Sequence, residues 1–147
     1  MEDTLIIAIG NVARGDDGVA HAVAAQLEGG PESLPYGVRI MTAVGLEVAM
    51  ADGVAGCRNL LIVDAERREA PAVEVRPLVA GVSAHSGHSI DAPSLLAVTY
   101  ALYGVAPRAR LVSVAAPEMG HGEGLSAIAK AASLEAAFVI VELLRER

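Results

Sequence analysis

Three carboxylates and two imidazoles stand out in this chain for where they fall. Asp16 and Asp17 come after the run Leu5-Ile6-Ile7-Ala8-Ile9 and a short loop bracketed by Gly10 and Gly15; Asp64 directly follows Leu60-Leu61-Ile62-Val63; His85 and His88 lie in a stretch without apolar periodicity. Oxygen and imidazole donors of this kind suit Zn, Ni or Fe(II), and two carboxylates with one histidine can form a mononuclear centre with open positions. Each residue also has a structural role open to it. Asp16 can cap the helix it opens, Asp17 can be a first-turn acid favoured by the helix dipole, and the histidines can be ordinary loop residues. Asp64 is the hardest to assign to structure alone, because a charge directly after four buried apolar residues is costly unless it is paired or used. Cys57, near a helix end with no histidine beside it in the sequence, reads as a buried structural thiol.

These residues need elements to hold them. Leu5 to Ile9 reads as a buried strand, and from Asp16 a helix opens in which Val19, Val23 and Leu27, with Ala20 and Ala24, form one apolar stripe before Gly29-Gly30-Pro31 stops it. Val38 to Thr42 alternates and predicts a second strand; Leu46, Met50 and Val54 predict a second helix ending near Gly56. Leu60 to Val63 is a continuous apolar run, the mark of a strand buried on both faces, and it ends in Asp64. Residues 65 to 72 predict a charged surface loop, and Val73 to Leu78 a strand with one wet face, as at a sheet edge. Val79 to Asp91 is irregular. Pro93 then starts a helix carrying Leu95, Leu96, Val98 and Leu102 and closed by Gly104; Leu111 to Ala116 is a further strand, Pro117 to Gly124 a second irregular loop, and Leu125 to Leu144 a long closing helix. The order β-α-β-α-β-β-α-β-α predicts an α/β fold: a three-layer sandwich with a mostly parallel twisted sheet of about five strands and helices on both faces. Sheets of this type place their sites at the carboxyl ends of the strands, where the aspartates fall.

The bulk numbers agree with one domain over residues 1–147. The chain has 147 residues, 53% of them hydrophobic but only 3% aromatic, so its core must be built from Ala, Val, Leu and Ile packed on a sheet. A net charge of −7 without a Lys/Arg run argues against nucleic acid or an anionic membrane as partner. The lone cysteine excludes an intrachain disulfide and suits a reducing compartment. The opening Met1-Glu2-Asp3-Thr4 is acidic where a secretory signal would be basic, and no apolar run reaches the ~18 residues of a membrane span, so a soluble, cytoplasmic protein is expected.

The common nucleotide and hydrolase signatures are absent: there is no Gly-x-Gly-x-x-Gly after the first strand, no Gly-Lys-Ser/Thr loop, no His-Glu-x-x-His and no Gly-x-Ser-x-Gly. What remains forms a pattern. Gly10-Asn11 with Asp16-Asp17-Gly18, then Leu61-Ile62-Val63-Asp64-Ala65, then Ser86-Gly87-His88-Ser89-Ile90 ahead of Leu95-Leu96 and Tyr103-Gly104, resemble in order the motifs of the hydrogenase maturation proteases. Gly120 through Leu125-Ser126 and the closing helix fit the same likeness, which runs nearly end to end. That family trims the C-terminal extension from the large subunit of [NiFe] hydrogenases. The resemblance implies that Asp17, Asp64 and His88 are the catalytic, metal-contacting set, that the metal is nickel carried by the substrate precursor, and that the partner is that precursor. A metal-polarised carbonyl with an activated water is the mechanism such ligands permit, with no serine or cysteine nucleophile.

The chain also departs from the family pattern. Ala8 stands where the first glycine of Gly-x-Gly-Asn is usual, and Met41-Thr42-Ala43 replaces the usual acidic or glycine-rich end of the second strand. His85 precedes His88 by three residues, and the spacing from His88 to Gly104 favours His88 as the ligand. Two other readings fit the same residues. A non-catalytic nickel-binding or chaperone-like relative would keep the ligand set, and a small α/β ligand-binding domain would use the helix N-termini alone.

Overall fold

A computed structural model describes residues 2–30, 34–82 and 89–146 of the chain. Strands β1 (Glu2–Ile9), β2 (Val38–Ala43), β4 (Cys57–Glu66), β5 (Val73–Leu78) and β7 (Arg108–Ala115) form one sheet in the order β2-β1-β4-β7-β5. The first four are parallel to one another; β5 runs antiparallel at the edge, where Pro77 is tolerated because an edge strand can spare a donor. β3 (Leu46–Glu47) and β6 (Ser89–Ile90) pair antiparallel as a small separate sheet. Helices α1 (Val19–Gly29) and α4 (Ala127–Arg145) cover one face of the large sheet, and α2 (Ala51–Ala55) and α3 (Ala92–Tyr103) cover the other.

The apolar runs explain this layering. Along β1, Ile6 and Ala8 enter the core under α1 and α4 while Leu5 and Ile7 enter the core under α2 and α3; β4 divides in the same way, with Leu61 and Val63 on one side and Leu60 and Ile62 on the other. Side chains alternate along a strand, so a strand covered on both faces must be apolar at consecutive positions. With one phenylalanine and no tryptophan in the chain, alanine does much of the close packing: Ala20 and Ala24 of α1 share a core with Ala129, Ala132 and Ala136 of α4, all buried.

The sheet order sets the place of a site. From β1 the chain passes through α1 to β2 on one side of β1, whereas β4 lies on the other side of β1 and the chain leaving it reaches α3 on the opposite face. Strand order therefore reverses between β1 and β4, and in sheets of this type sites form beyond the carboxyl ends of the strands at such a reversal. Among the described residues no helix is long and apolar enough to cross a membrane.

Three sequence expectations change. Leu46, Met50 and Val54 do not lie on one helix: Leu46 is in β3, Met50 ends a 3-10 turn over Val48–Met50, and Val54 is in the short α2, yet all three meet the same core. A four-residue apolar spacing reports a shared burial direction, which three successive short elements can supply as well as one helix. β4 does not stop at Val63. It continues through Asp64, Ala65 and Glu66 because Ser113, Val114 and Ala115 of β7 run beside them and complete the ladder. Finally, Asp16 and Asp17 lie in a 3-10 turn over Gly15–Gly18 that precedes α1, not in its first turn.

Candidate active site at the carboxyl edge of the sheet

Asp17 reaches the carboxyl edge through a tight return of the chain. Gly10, the residue after β1, has φ +151°, and a Cβ there would lie 2.0 Å from the carbonyl oxygen of Asp17, so only glycine lets the strand end and the 3-10 turn approach this closely. The Asn11 N–H then donates to Asp17 Oδ2 at 3.0 Å, and the Asn11 side chain accepts from the Ala13 N–H at 2.9 Å, folding the loop upon itself. Asp17 is half-buried.

Asp64 occupies the same edge one strand away, since it lies in register with Ile9 at the end of β1. Its pKa is pushed up to about 6: burial is the main cause, the Ala65 backbone N–H opposes it, and the charges of Asp17 and Glu66 add to it. Asp17 therefore lies near enough for its charge to disfavour ionisation of Asp64. Glu66, two residues on, is treated differently. Burial works to raise its pKa, but the Ser113 hydroxyl and the Arg76 and Arg68 guanidinium groups outweigh it, and the pKa is lowered. Arg68 ties this corner together. It donates to Glu66 Oε2 (2.9 Å), Ser113 Oγ (2.9 Å), the Ser113 carbonyl (3.1 Å) and the Pro71 carbonyl (2.8 Å). Glu66 is thereby paired with Arg68 and Arg76, whereas the charge of Asp17 adds to the rise at Asp64.

Asp16 points elsewhere. It is fully buried and caps no helix; its carboxylate accepts from the Glu118 N–H (2.8 Å), the Ser126 N–H (2.7 Å) and the Ser126 hydroxyl (2.7 Å). Ser126 is itself the N-cap of α4, accepting from the Ala129 N–H at 3.2 Å. Asp16 thus latches the loop over residues 117–125 and the start of α4 to the turn that carries Asp17. Backbone bonds from Gly15 to the Gly122 carbonyl (2.7 Å) and from Gly122 to the Ala13 carbonyl (3.0 Å) lay the two loops side by side.

His88 and His85 lie outside the described residues. The described chain resumes at Ser89, paired with Glu47 in the small sheet that follows the carboxyl end of β2. Among the described residues no group of three or more His, Cys, Asp or Glu side chains is arranged to hold a metal ion. Asp17 and Asp64 are the described members of the set expected from the sequence, and carboxylate oxygens are hard donors of the kind that suit divalent cations. Sequence reasoning missed His21, whose Nε2 lies 2.8 Å from the Gly10 carbonyl and 3.2 Å from the Ala43 carbonyl. Its only signal was an imidazole on α1 four residues after Asp17. The Asp16 latch had no local signal, because its partners lie 102 and 110 residues away.

No protein-family model matches the chain, and no curated protein matches it in sequence. Solved structures do match. The hydrogenase maturating endopeptidase HybD from E. coli superposes with a TM-score of 0.80 at 19% identity, over 98% of this chain and 93% of that one. The [NiFe] hydrogenase maturation protease HycI from Thermococcus kodakarensis gives 0.73 at 21% identity, over 97% and 92%. HybD from the same organism gives 0.67 at 24% identity, over 97% and 99%. This chain has their fold. The resemblance read from the Gly10-Asn11, Asp16-Asp17-Gly18 and Asp64-Ala65 motifs thus has a structural counterpart along nearly the whole chain.

Proposed function

We propose that this protein is an endopeptidase that removes the C-terminal extension of a [NiFe] hydrogenase large-subunit precursor, recognising the nickel already placed in that substrate. The observation that carries the reading is that Asp64, in register with the end of β1, feels the charge of Asp17 at the carboxyl edge of the sheet in a chain with the fold of hydrogenase maturation endopeptidases. In this reading Asp17, Asp64 and His88 contact the substrate's nickel. The two carboxylates repel each other while empty, and a divalent cation between them turns that repulsion into attraction. A metal held there polarises the neighbouring peptide carbonyl or a water, so the chain needs no serine or cysteine nucleophile. The work takes place in the cytoplasm, where Cys57 stays a thiol.

Incubation of nickel-loaded and nickel-free precursor with the protein tests this, read by the mass of the large subunit. Cleavage of the loaded form alone is expected. Equal cleavage of both forms removes nickel recognition from the reading; tight binding of the loaded precursor without cleavage replaces it with the chaperone-like alternative.

A further inference from the structure

We propose that His21 is a positioning residue for the Asp17 carboxylate, acting through the single peptide unit that joins Gly10 to Asn11. The carbonyl of that unit faces His21 Nε2 at 2.8 Å, and its N–H, which belongs to Asn11, donates to Asp17 Oδ2 at 3.0 Å. A peptide group is planar, with its C=O and N–H pointing in opposite directions, so fixing one end fixes the other. Both oxygens near Nε2, those of Gly10 and Ala43, can only accept; Nε2 therefore carries the proton and donates. The Ala43 carbonyl also accepts from the Gly10 N–H at 3.0 Å, so His21 reaches the junction where the ends of β1 and β2 are held together.

The peptide needs such a restraint because of the glycine beside it. Gly10 must be glycine to let Asp17 approach, and glycine leaves its backbone torsions freer than any other residue. His21 returns the order that Gly10 gives up. Hydrogen bonds in series also polarise one another, so a donor on the Gly10 carbonyl makes the Asn11 N–H a better donor to Asp17. His21 touches neither substrate nor metal in this scheme; it sets where the Asp17 oxygens stand.

The role in cleavage rests on the protease reading, so the test has two independent arms. In the first, amide hydrogen exchange is followed by NMR in the wild type, His21→Leu and His21→Gln, glutamine being able to place an amide N–H near the position of Nε2. Exchange at Asn11 should quicken about 10-fold in His21→Leu, the scale of one lost hydrogen bond, and return close to the wild-type rate in His21→Gln. Ile6, Leu61 and Val112 should be unchanged in a folded variant, and His21→Ala replaces leucine if leucine fails that check. In the second arm, cleavage of nickel-loaded precursor should fall about 10-fold or more in His21→Leu and recover in His21→Gln. An unaltered Asn11 exchange rate in folded His21→Leu overturns the proposal, as does normal cleavage by that variant or failure of glutamine to restore either readout. If the wild type itself leaves the precursor uncut, the protease reading falls and the exchange arm alone decides the link between His21 and Asp17.

Discussion

Asp16 and Asp17 are neighbours in sequence and opposites in environment. Asp16 is fully buried and receives three hydrogen bonds from the far end of the chain, so its charge is balanced by donors that came from elsewhere to meet it. Asp17 is half-buried, receives the Asn11 N–H, and its charge adds to the burial that raises the pKa of Asp64 to about 6. The difference separates a carboxylate that holds the fold from one that is held by it. A buried carboxylate whose oxygens are filled with donors serves the fold, while a carboxylate whose charge disfavours ionisation of a second one at the same sheet edge is suited to meeting a cation.

That contrast can be broken at several points. The largest effect on the fold is expected at Asp16. In Asp16→Asn an amide turns an NH2 group toward donors that need an acceptor. A loss of roughly 2–4 kcal/mol is expected in denaturant unfolding, and a midpoint equal to that of the wild type would show that the latch contributes nothing. Asp64→Asn should do the opposite: cleavage falls at least about 100-fold while the apo protein becomes more stable at neutral pH. The sign follows from the raised pKa. Between about pH 4 and pH 6 the folded protein keeps a proton on Asp64 that the unfolded chain has released, so wild-type stability declines as pH rises through that window and stays low above it. The gain on substitution should therefore be on the order of 2 kcal/mol at pH 7 and vanish near pH 4. The charges of Asp17 and Glu66 both add to the rise at Asp64, while Glu66 itself is held low by Ser113, Arg76 and Arg68. A melting series from pH 4 to pH 8 on both proteins measures it.

Gly10→Ala comes next, with a Cβ driven against the Asp17 carbonyl; a loss of about 1–3 kcal/mol and a larger loss of cleavage are expected, because the displaced atoms are those of the site. Thermal melts paired with precursor cleavage separate the two effects. The smallest change is expected at His85. His88→Ala should abolish nickel-dependent cleavage whereas His85→Ala weakens it at most, and the reverse result would move the ligand by three residues.

Much of the fold was legible because it rests on local patterns. Leu60 to Val63 could only be a strand buried on both faces, and Gly104 with Pro93 bounded α3 correctly, the former at φ +73° and the latter in the first turn. The alternation of Val73 to Leu78 predicts an edge strand, and β5 is one. The second helix starts later than the Leu46, Met50, Val54 spacing predicts because Leu46 pairs with Ile90 between β3 and β6, a contact across 44 residues that no local period encodes.

The sequence by itself determined which residue types stand at strand ends: the apolar runs fix the strands, and the carboxylates after or within them follow from reading the chain. Only the tertiary structure decided how those carboxylates divide. Which aspartate of the Asp16-Asp17 pair is filled with donors depends on Glu118 and Ser126, and whether Asp64 or Glu66 is neutralised depends on Arg68, Arg76 and Ser113. The physical reason is that a carboxylate's role is set by the donors, charges and solvent around it, and those are gathered from distant parts of the chain only when the sheet has formed.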